Sequence, residues 1–423
     1  MTQTIVIGLD GMEPSLWTQW ADEGYLPNIA ALREEGAYGT ADCATLSSAA
    51  QWITHFTGVT PTTHGVKGFE RDAAGDNSPP SENRPAADPS RELITLNDIR
   101  AKTYPEILSE RGYTVGLVNP LPLWPPVELD DGFCISGILT PPEADIWTHP
   151  ESLADELNAF GYEIDIRYQN RPYGFMDDDI VGEIGFETLW EDMSNVLETR
   201  IEYSKHALTE KNPELFYVLY KSIDVIQHAF WAPMEAKDPE YGTVIRDAYA
   251  MVDEFIGWVR ENRPDANVLV FGDHGFRARR DPPGQLNSLA TVVSSLLPTV
   301  PDVVQNTYHE LTKDTGEMNE NGFQIDHLSG THDNPTAWLA GGPDIVSTGE
   351  VEIDFEDLTP TLYTLLDESI PEAYTGTPIT ASLSRTPVYD DTPLDITRSR
   401  SMNDGVSERL YNLGYVDMVE DTD

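Results

Sequence analysis

Acidic and imidazole side chains stand at the ends of apolar runs in this sequence. Single or paired groups follow TIVIGL, LFYVLYKSI and NVLVFG, and one histidine stands just ahead of TAWLAGG. In chain order these residues are Asp10, Asp224, His228, Asp273, His274 and His332. Carboxylate oxygens and imidazole nitrogens are ligands of zinc and other borderline divalent cations. Three of each suit two ions, which at about 4 Å apart stabilise the attacking and leaving oxygens of a displacement at phosphorus.

The apolar runs themselves predict strands buried on both faces, because they are continuous rather than alternating. They are TIVIGLD (4–10), YTVGLVN (113–119), LFYVLYKS (215–222), NVLVFGD (267–273) and TAWLAGG (336–342). Helical patterns separate them, among them YPEILSERG, SLADELNAFG and a long run that stops at Pro264. The order predicts an α/β fold with a mostly parallel central sheet and helices on both faces. Ligands of such sheets bind at the carboxyl ends of the strands, so the side chains should converge in one crevice.

Each of these residues also has an ordinary structural interpretation. Asp10 can cap the helix that follows it. Asp224 and His228 can form a helical i, i+4 pair, and GDHG can be a tight turn. His332 can be a plain loop histidine, with His327 as a competitor for its role. A chain without a metal site would require all four of these structural interpretations to be correct at once. The pattern therefore favours a metal site.

The segment CATLSSAAQWITHFTGVTPTTHGVKGF (43–69) contains the candidate nucleophiles. Its small hydroxylated residues stand directly before a helical pattern. The positive end of a helix favours an alkoxide and a bound phosphoryl group, and a nearby cation lowers the pKa of a hydroxyl group. From spacing alone Thr45, Ser47 and Ser48 are all eligible. A serine that only caps the helix is an equally good interpretation at this point.

The composition is strongly acidic, with 73 Asp and Glu against 26 Lys and Arg and a formal net charge of -47. Such a charge repels nucleic acid duplexes and anionic membranes, and it destabilises a compact state in dilute salt. In molar salt the Debye length falls to about 3 Å and most of the repulsion disappears. The acidic residues are spread along the chain, which predicts a solvated surface adapted to the cytoplasm of a high-salt cell.

Cys43 and Cys134 have no C-x-x-C spacing and predict neither a disulfide framework nor a cysteine zinc site. The start of the chain enters a strand at once and lacks a basic segment of the kind found in secretory leaders. No run approaches the roughly 20 apolar residues that span a bilayer. The sequence gives no prediction of the oligomeric state.

Length and pattern predict a single catalytic domain over residues 1–423. Residues 72–92, rich in Pro, Ser, Ala and Asp, are predicted to form an exposed loop. Residues 276–330 lack a clear strand rhythm, and both this segment and residues 140–200 are predicted to be insertions or cap segments. Residues 384–423 are predicted to be a C-terminal extension that ends in the helix VSERLYNLGYV.

The order of motifs resembles that of the alkaline phosphatase superfamily. The first motif is GLDGM. It is followed by a Ser or Thr that stands nine residues before a Thr-Gly pair, and by P-x-x-HG after that pair. The motifs D-x-x-x-H, DHG and G-x-H come later in the chain. The type I phosphodiesterase and nucleotide pyrophosphatase branch is the most similar. The nine-residue offset from Thr57 selects Ser48 as the family's nucleophile. The segments NPLPLWPPVELDDGFCISGILTPP (119–142), similar to one in archaeal and bacterial members, and DLTPTLYTLLDESIP (357–371) extend the resemblance over nearly the whole chain.

The resemblance implies an alkaline-phosphatase-like three-layer sandwich and two divalent metal ions, zinc first, with manganese or iron as alternatives. It implies that one ion is held by Asp224, His228 and His332, and that the other is held by Asp10, Asp273, His274 and the Ser48 oxygen. Ser48 would form a phosphoserine intermediate. The family usually has a threonine nucleophile and an asparagine three residues later. Here Ser48 and Gln51 stand at those positions, so Gln51 is a candidate donor to a phosphoryl oxygen.

These features together predict a metal-dependent phosphoric ester hydrolase that acts on a small-molecule phosphate ester. The sulfatase signature is absent from residues 43–51, and neither an additional magnesium site nor a phosphate-binding arginine is evident, which favours diesters. A phosphotransferase or a phosphomonoesterase on the same bimetal site is the alternative. A weaker alternative is a non-catalytic member that acts as a binding protein. Trp52, Trp124 and Phe276 can line a substrate pocket but are better explained as core residues.

Overall fold

The chain folds around one large β-sheet, in a computed structural model that describes residues 2–72, 91–141, 144–164, 167–168, 171–172, 184–279, 328–346 and 349–398. The strands are β1 (Thr4–Leu9), β2 (Ala37–Asp42), β3 (Glu70–Asp72), β4 (Arg91–Leu93), β5 (Val115–Val118), β6 (Gly132–Ile135), β7 (Thr148–His149), β8 (Arg167–Tyr168), β9 (Arg171–Pro172), β10 (Leu215–Tyr220), β11 (Asn267–Phe271), β12 (Gly275–Ala278), β13 (Gly330–Asp333), β14 (Thr336–Gly341), β15 (Gly349–Glu350), β16 (Ile353–Asp354), β17 (Ser369–Pro371) and β18 (Val388–Asp390). The α-helices are α1 (Pro14–Asp22), α2 (Pro27–Glu35), α3 (Ser48–Thr57), α4 (Pro61–His64), α5 (Tyr104–Glu110), α6 (Leu153–Phe160), α7 (Phe186–Glu210), α8 (Ser222–Glu235), α9 (Val244–Asn262) and α10 (Leu358–Leu365).

The central sheet takes up ten of the described strands. Their spatial order is β15, β2, β14, β11, β1, β10, β5, β6 and β7, with β16 also paired to β2. The central run from β11 to β6 is parallel throughout. β14 is antiparallel to both of its neighbours, and β7 is antiparallel to β6. The sheet is therefore mixed and mostly parallel, as the sequence predicts.

Helices cover both faces of this sheet and form two separate hydrophobic cores. On β1, Ile5 and Ile7 belong to the core that contains residues of α1, α2, α7, α8 and α9, whereas Val6 belongs to the core that contains residues of α3, α5 and α10. Every residue of β1, β10 and β11 is buried. The continuous apolar runs thus reflect coverage on both sides, and the predicted three-layer arrangement is confirmed.

The strand predicted from TAWLAGG is present as β14, but it runs antiparallel to its neighbours. The chain leaves β11 through β12 and returns through β13, which pairs antiparallel with β12. It therefore re-enters the sheet from the edge at which β11 ends. This return places the first residue of β14 beside the carboxyl ends of the parallel strands.

Parts of the predicted insertions lie within the described residues. From 140–200, β7 extends the sheet beside β6, and α7 packs against α8 and α9. From 276–330, β12 and β13 form a two-stranded sheet. His327, most of 72–92 and the predicted closing helix lie outside the described residues. The division of the chain into one domain with these insertions stays a prediction. None of the helices in the described ranges has both the length and the apolar character to cross a bilayer.

Candidate metal centre and active site

The candidate ligands reach one edge of the sheet because the elements that carry them begin or end there. Asp10 directly follows β1, and Asp273 and His274 form the turn after β11. Asp224 lies in the first turn of α8, which begins two residues after β10 ends. His332 lies on β13, just before the chain re-enters the sheet. Parallel strands end at a common edge, so the topology brings these side chains together.

Asp224, His228 and His332 form the first group, whose ligand atoms lie close enough together to hold a metal ion. Oδ1 of Asp224 is 3.2 Å from Nε2 of His228 and 3.1 Å from Nε2 of His332. The two histidine Nε2 atoms are 3.0 Å apart. Asp224 and His228 do form the i, i+4 pair that the sequence allows, but His332 joins them from a different part of the chain.

The backbone contacts of these histidines leave their Nε2 atoms free for a cation. Nδ1 of His228 lies 2.9 Å from the carbonyl oxygen of Gly330, and Nδ1 of His332 lies 3.0 Å from that of Leu46. A carbonyl oxygen only accepts, so this network assigns the ring proton to Nδ1 in both residues. Two Nε2 lone pairs and a carboxylate oxygen then face each other, which is unfavourable unless a cation lies among them. Metal-binding histidines characteristically donate their other ring N–H in this way.

Asp10, Asp273 and His274 form the second group, which is fully buried. Nε2 of His274 lies 3.4 Å from Oδ1 of Asp10 and 3.6 Å from Oδ2 of Asp273. Among the described residues neither of these two carboxylate oxygens has a hydrogen-bond partner. Burying an ionised oxygen without a partner is costly, and a divalent cation removes that cost. The donor set therefore fits a second ion. The two groups adjoin, since Nε2 of His274 is 3.9 Å from Oδ1 of Asp224.

The pKa values of these side chains show the same excess of negative charge. Burial and the nearby Asp10 raise the pKa of Asp273 to about 7. Burial alone would lower the pKa of His274, but Asp273 and Asp10 raise it to about 9. Burial would likewise raise the pKa of Asp224, but the ammonium group of Lys221 holds it well below its usual range. Burial and the neighbouring His274 lower the pKa of His332.

The structure distinguishes the three hydroxyl groups that spacing alone leaves equivalent. Ser48 is buried at the first residue of α3, and its Oγ lies 3.1 Å from Nε2 of His274. Ser47 is the N-cap residue of α3, and its side chain makes no cap hydrogen bond. The hydroxyl group of Thr45 accepts a hydrogen bond from the backbone N–H of Ser47. Among these three hydroxyl groups, Ser48 is the one that contacts a candidate ligand, His274.

Two further residues of α3 lie beside the second ligand group. Trp52 donates from Nε1 to Oδ2 of Asp10 at 3.4 Å, although its ring is part of the core. Gln51 is buried next to the Cys43 thiol, and among the described residues neither of its amide atoms has a partner in hydrogen-bonding geometry. Burial and Asp273 raise the pKa of Cys43 to about 12, so this thiol is an uncharged neighbour.

The turn after β1 needs glycine and is tied to both ligand groups. Gly11 has φ +76, and a Cβ there would lie 2.7 Å from the Phe276 ring. Its N–H donates to Oδ1 of Asp273 at 3.1 Å, and its carbonyl oxygen accepts from Nε2 of Gln227 at 2.7 Å. The alternative role of Asp10 as a helix cap is wrong, because the side chain of Glu13 caps α1.

The GDHG stretch forms a turn, and its two glycines also lie against other segments of the chain. A Cβ on Gly275 would lie 2.3 Å from the carbonyl oxygen of Pro335, and one on Gly272 would lie 2.6 Å from Met12. Phe276 and Trp124 are buried, as the core interpretation predicts. The Phe276 ring packs against His228 at a centroid distance of 4.8 Å, so it supports a ligand and does not form an open wall.

Sequence reasoning missed two polar residues at this site. Lys221 contacts Oδ2 of Asp224 through its ammonium group and is itself buried. Burial would lower the pKa of Lys221, but Asp224 and Asp10 raise it, so the lysine is charged. Gln227 lies on α8 between the ligands of the first group. Their nearness to Asp224 in the sequence could have identified them, because both belong to LYKSIDVIQH and lie within three residues of Asp224.

Comparison with solved structures shows the fold. Alkaline phosphatase PafA superposes with a TM-score of 0.50 at 13% identity, over 90% of this chain and 98% of that chain. Murine ectonucleotide pyrophosphatase / phosphodiesterase 5 superposes with a TM-score of 0.46 at 14% identity, over 89% and 97%. Phosphonoacetate hydrolase from Sinorhizobium meliloti 1021, in complex with phosphonoformate, gives 0.45 at 17% identity, over 66% and 58%. This chain thus spans 58% of the length of that hydrolase.

No curated protein sequence matches the chain at a significant level. The sequence profile described as Type I phosphodiesterase / nucleotide pyrophosphatase matches residues 4–321, about three quarters of the chain. The matched segment contains the first five candidate ligands in chain order and Ser48. The resemblance drawn from the motifs is confirmed: the chain belongs to the type I phosphodiesterase / nucleotide pyrophosphatase family and has an alkaline-phosphatase-like fold.

Proposed function

We propose that the protein is a metal-dependent phosphoric ester hydrolase, with a phosphodiesterase or nucleotide pyrophosphatase activity on a small-molecule substrate. One ion would be held by Asp224, His228 and His332. The other would be held by Asp10, Asp273, His274 and the oxygen of Ser48. The two ions, zinc first and manganese or iron as alternatives, would supply positive charge that activates oxygen nucleophiles and neutralises phosphate oxygens.

In this proposal Ser48 is the nucleophile. Its position at the first residue of α3 places the hydroxyl group at the positive end of a helix, which favours loss of the hydroxyl proton to solvent. The oxygen attacks phosphorus in line, the new bond from Oγ to phosphorus forms, and the bond to the leaving oxygen breaks. Water then attacks phosphorus, the bond from phosphorus to Oγ breaks, and the phosphoryl product leaves while Oγ regains a proton from solvent. The amide of Gln51, one turn along α3, would donate to a phosphoryl oxygen.

One observation carries this proposal. A buried serine hydroxyl group lies 3.1 Å from Nε2 of His274, beside a pair of buried carboxylate oxygens that have no partner among the described residues. A serine that only capped the helix would turn its oxygen to the backbone N–H groups of α3. This hydroxyl group is directed to the ligand group instead.

The experiment is a substrate panel measured on wild-type protein and two serine variants. Nitrophenyl phosphodiester, phosphomonoester and sulfate compounds are assayed in high salt with zinc, manganese or iron. We expect the diester to be hydrolysed fastest. We expect Ser48→Ala to lower kcat by at least about 10³-fold with the metal content unchanged, since residual catalysis without a nucleophile is small. The control Ser47→Ala should keep wild-type turnover. Normal turnover in Ser48→Ala would refute the nucleophile assignment.

The same assay separates the alternatives. Faster turnover of the monoester would favour a phosphomonoesterase. Transfer of the phosphoryl group to an added alcohol would favour a phosphotransferase. Purified protein that holds no metal without exposure to chelators, and hydrolyses nothing, would favour a binding protein.

We further propose that the protein works in the cytoplasm of a high-salt cell. The support is the net charge of -47, which only concentrated salt screens effectively.

A further inference from the structure

Lys221 is a buried cation at the junction of β10 and the ligand-bearing helix α8. It is the last residue before α8, and only 8% of its surface is exposed. The chain contains seven lysines among 423 residues, so a lysine in the interior is a notable placement. Taking an ammonium group out of water is strongly unfavourable unless it is paired. A specific partner must therefore offset this cost, and that partner is Asp224.

The two oxygens of Asp224 face different groups. Oδ1 lies 3.2 Å from Nε2 of His228 and 3.1 Å from Nε2 of His332. Oδ2 contacts the ammonium group of Lys221. The carboxylate is thus divided between a face directed to the histidines and a face held by the lysine.

We propose that Lys221 is a positioning residue, which occupies Oδ2 of Asp224 and leaves Oδ1 as the single oxygen that this side chain offers to a metal ion. This inference rests on the proposed metal-dependent function. Three single-atom ligands leave one coordination position of a tetrahedral ion open for water or substrate. Without the lysine, both oxygens of Asp224 would be free to bind an ion, and the second would occupy the position that water or substrate needs.

The contacts of Lys221 favour this role over direct contact with the substrate. Its ammonium group is engaged with Asp224, the side chain is buried, and Asp10 and Asp273 are the further charges that raise its pKa. Polar partners of metal-binding carboxylates orient them, and their loss costs about 10- to 100-fold in metal affinity or activity. Lys221 occupies such a position, because its ammonium group contacts the candidate ligand Asp224.

The test compares Lys221→Met, Lys221→Arg and the control Lys205→Met in full-length protein loaded with Co²⁺. Lys205 forms the same i, i+3 type of ion pair, with Glu202 at 2.6 Å, but on the surface. The visible absorption of Co²⁺ weakens as its coordination number rises from four to five, and it is read without substrate. We expect Lys221→Met to retain cobalt, to show weaker absorption, and to lose about 10- to 100-fold in kcat with little change in KM. Lys221→Arg should restore most of both properties, and Lys205→Met should match wild type.

Three results would overturn the inference. One is a Lys221→Met protein with wild-type absorption and wild-type kcat. Another is an increase in KM alone, which would mean contact with the substrate. The third is loss of cobalt from both Lys221 variants, which would make the lysine a structural requirement of the fold. If wild-type protein hydrolysed no phosphate ester, the proposed function would fail, whereas the absorption spectra would still decide the role of Lys221.

Discussion

Single residues at this site concentrate negative charge in the interior, where only a cation or bound protons can balance it. Asp10, Asp224 and Asp273 are all buried, and one ammonium group, that of Lys221, contacts Asp224. Binding of divalent cations must therefore compete with protons, because a metal ligand has to be deprotonated. The relevant groups are Asp273, with a pKa raised to about 7, and His274, with a pKa raised to about 9.

We predict that chelator-treated protein loses stability as the pH rises from 7 to 9. A histidine whose pKa is raised from 6.5 to about 9 on folding contributes stability below 6.5, and this contribution is lost as the pH rises through 9. The raised pKa of Asp273 acts in the same direction, from about 4 to 7. We expect a loss of at least about 1.4 kcal/mol, the value of one pKa unit. Saturating zinc should remove the loss.

Thermal unfolding of zinc-loaded and chelator-treated protein at several pH values measures this effect. In His274→Ala the fall between pH 7 and 9 should disappear. The control His206→Ala, which changes a half-exposed histidine beside Glu156, should keep it. Chelator-treated wild-type protein that became more stable between pH 7 and 9 would contradict the prediction.

At the scale of elements, the sequence predicts the central strands and their shared edge because those strands are fully buried. All five predicted apolar runs are strands, and the long helix α9 ends two residues before Pro264. Five of the six candidate ligands could be predicted because chemistry at a parallel sheet edge needs polar residues soon after apolar runs, whereas His332 precedes β14. That rule requires no knowledge of long-range contacts.

Other elements could not be predicted from local pattern. β2 reads AYGTAD, whose alanines and glycine have low strand propensity. Gly39 is needed there because the carbonyl oxygen of Val351 would lie 1.8 Å from a Cβ, a contact between distant segments. The antiparallel direction of β14 and the roles of Lys221 and Gln227 likewise depend on tertiary neighbours. A single sequence contains no local signal for such contacts.

Gln227 illustrates how α8 and the turn after β1 are held together, and it gives a prediction at this scale. Its side chain donates to the carbonyl oxygen of Gly11, whose N–H in turn donates to Asp273. We expect Gln227→Leu to lower stability by about 1 kcal/mol, because it removes the shorter of two hydrogen bonds to a buried carbonyl oxygen and leaves the 3.4 Å contact with the Tyr249 hydroxyl group. Turnover should fall by about 10-fold or more, since the two ligand groups lose their alignment.

Denaturant unfolding and steady-state kinetics on the Leu variant measure these effects. The matched control is Gln19→Leu, which removes an exposed glutamine bonded to Glu23 on the surface of α1. It should change neither quantity by much. Equal losses in both variants would mean that the contact of Gln227 with the turn has no special role.

At the scale of the whole molecule, short ion pairs offset part of the net negative charge. Arg111 pairs with Glu368 and Asp390, and Arg398 contacts both oxygens of Glu106. The contacts of Asp390 and Arg398 fasten the described part of the predicted C-terminal extension, residues 384–398, to the body of the protein. Bidentate arginine contacts persist in salt better than long-range attraction between exposed charges does. Concentrated salt therefore weakens the repulsion between exposed carboxylates more than it weakens these ties.

We predict that the unfolding temperature rises steadily as KCl is raised from about 0.1 M to several molar, because the Debye length shrinks from about 10 Å to less than about 3 Å over that range. Thermal unfolding by circular dichroism measures it, with NaCl at equal ionic strength to test whether screening alone is responsible. A variant with four exposed glutamates changed to glutamine, at Glu34, Glu191, Glu198 and Glu210, carries less repulsion and should reach the same unfolding temperature at lower KCl. An unfolding temperature that is independent of KCl, or a variant that needs as much salt as wild type, would show that charge repulsion does not limit the stability of this fold.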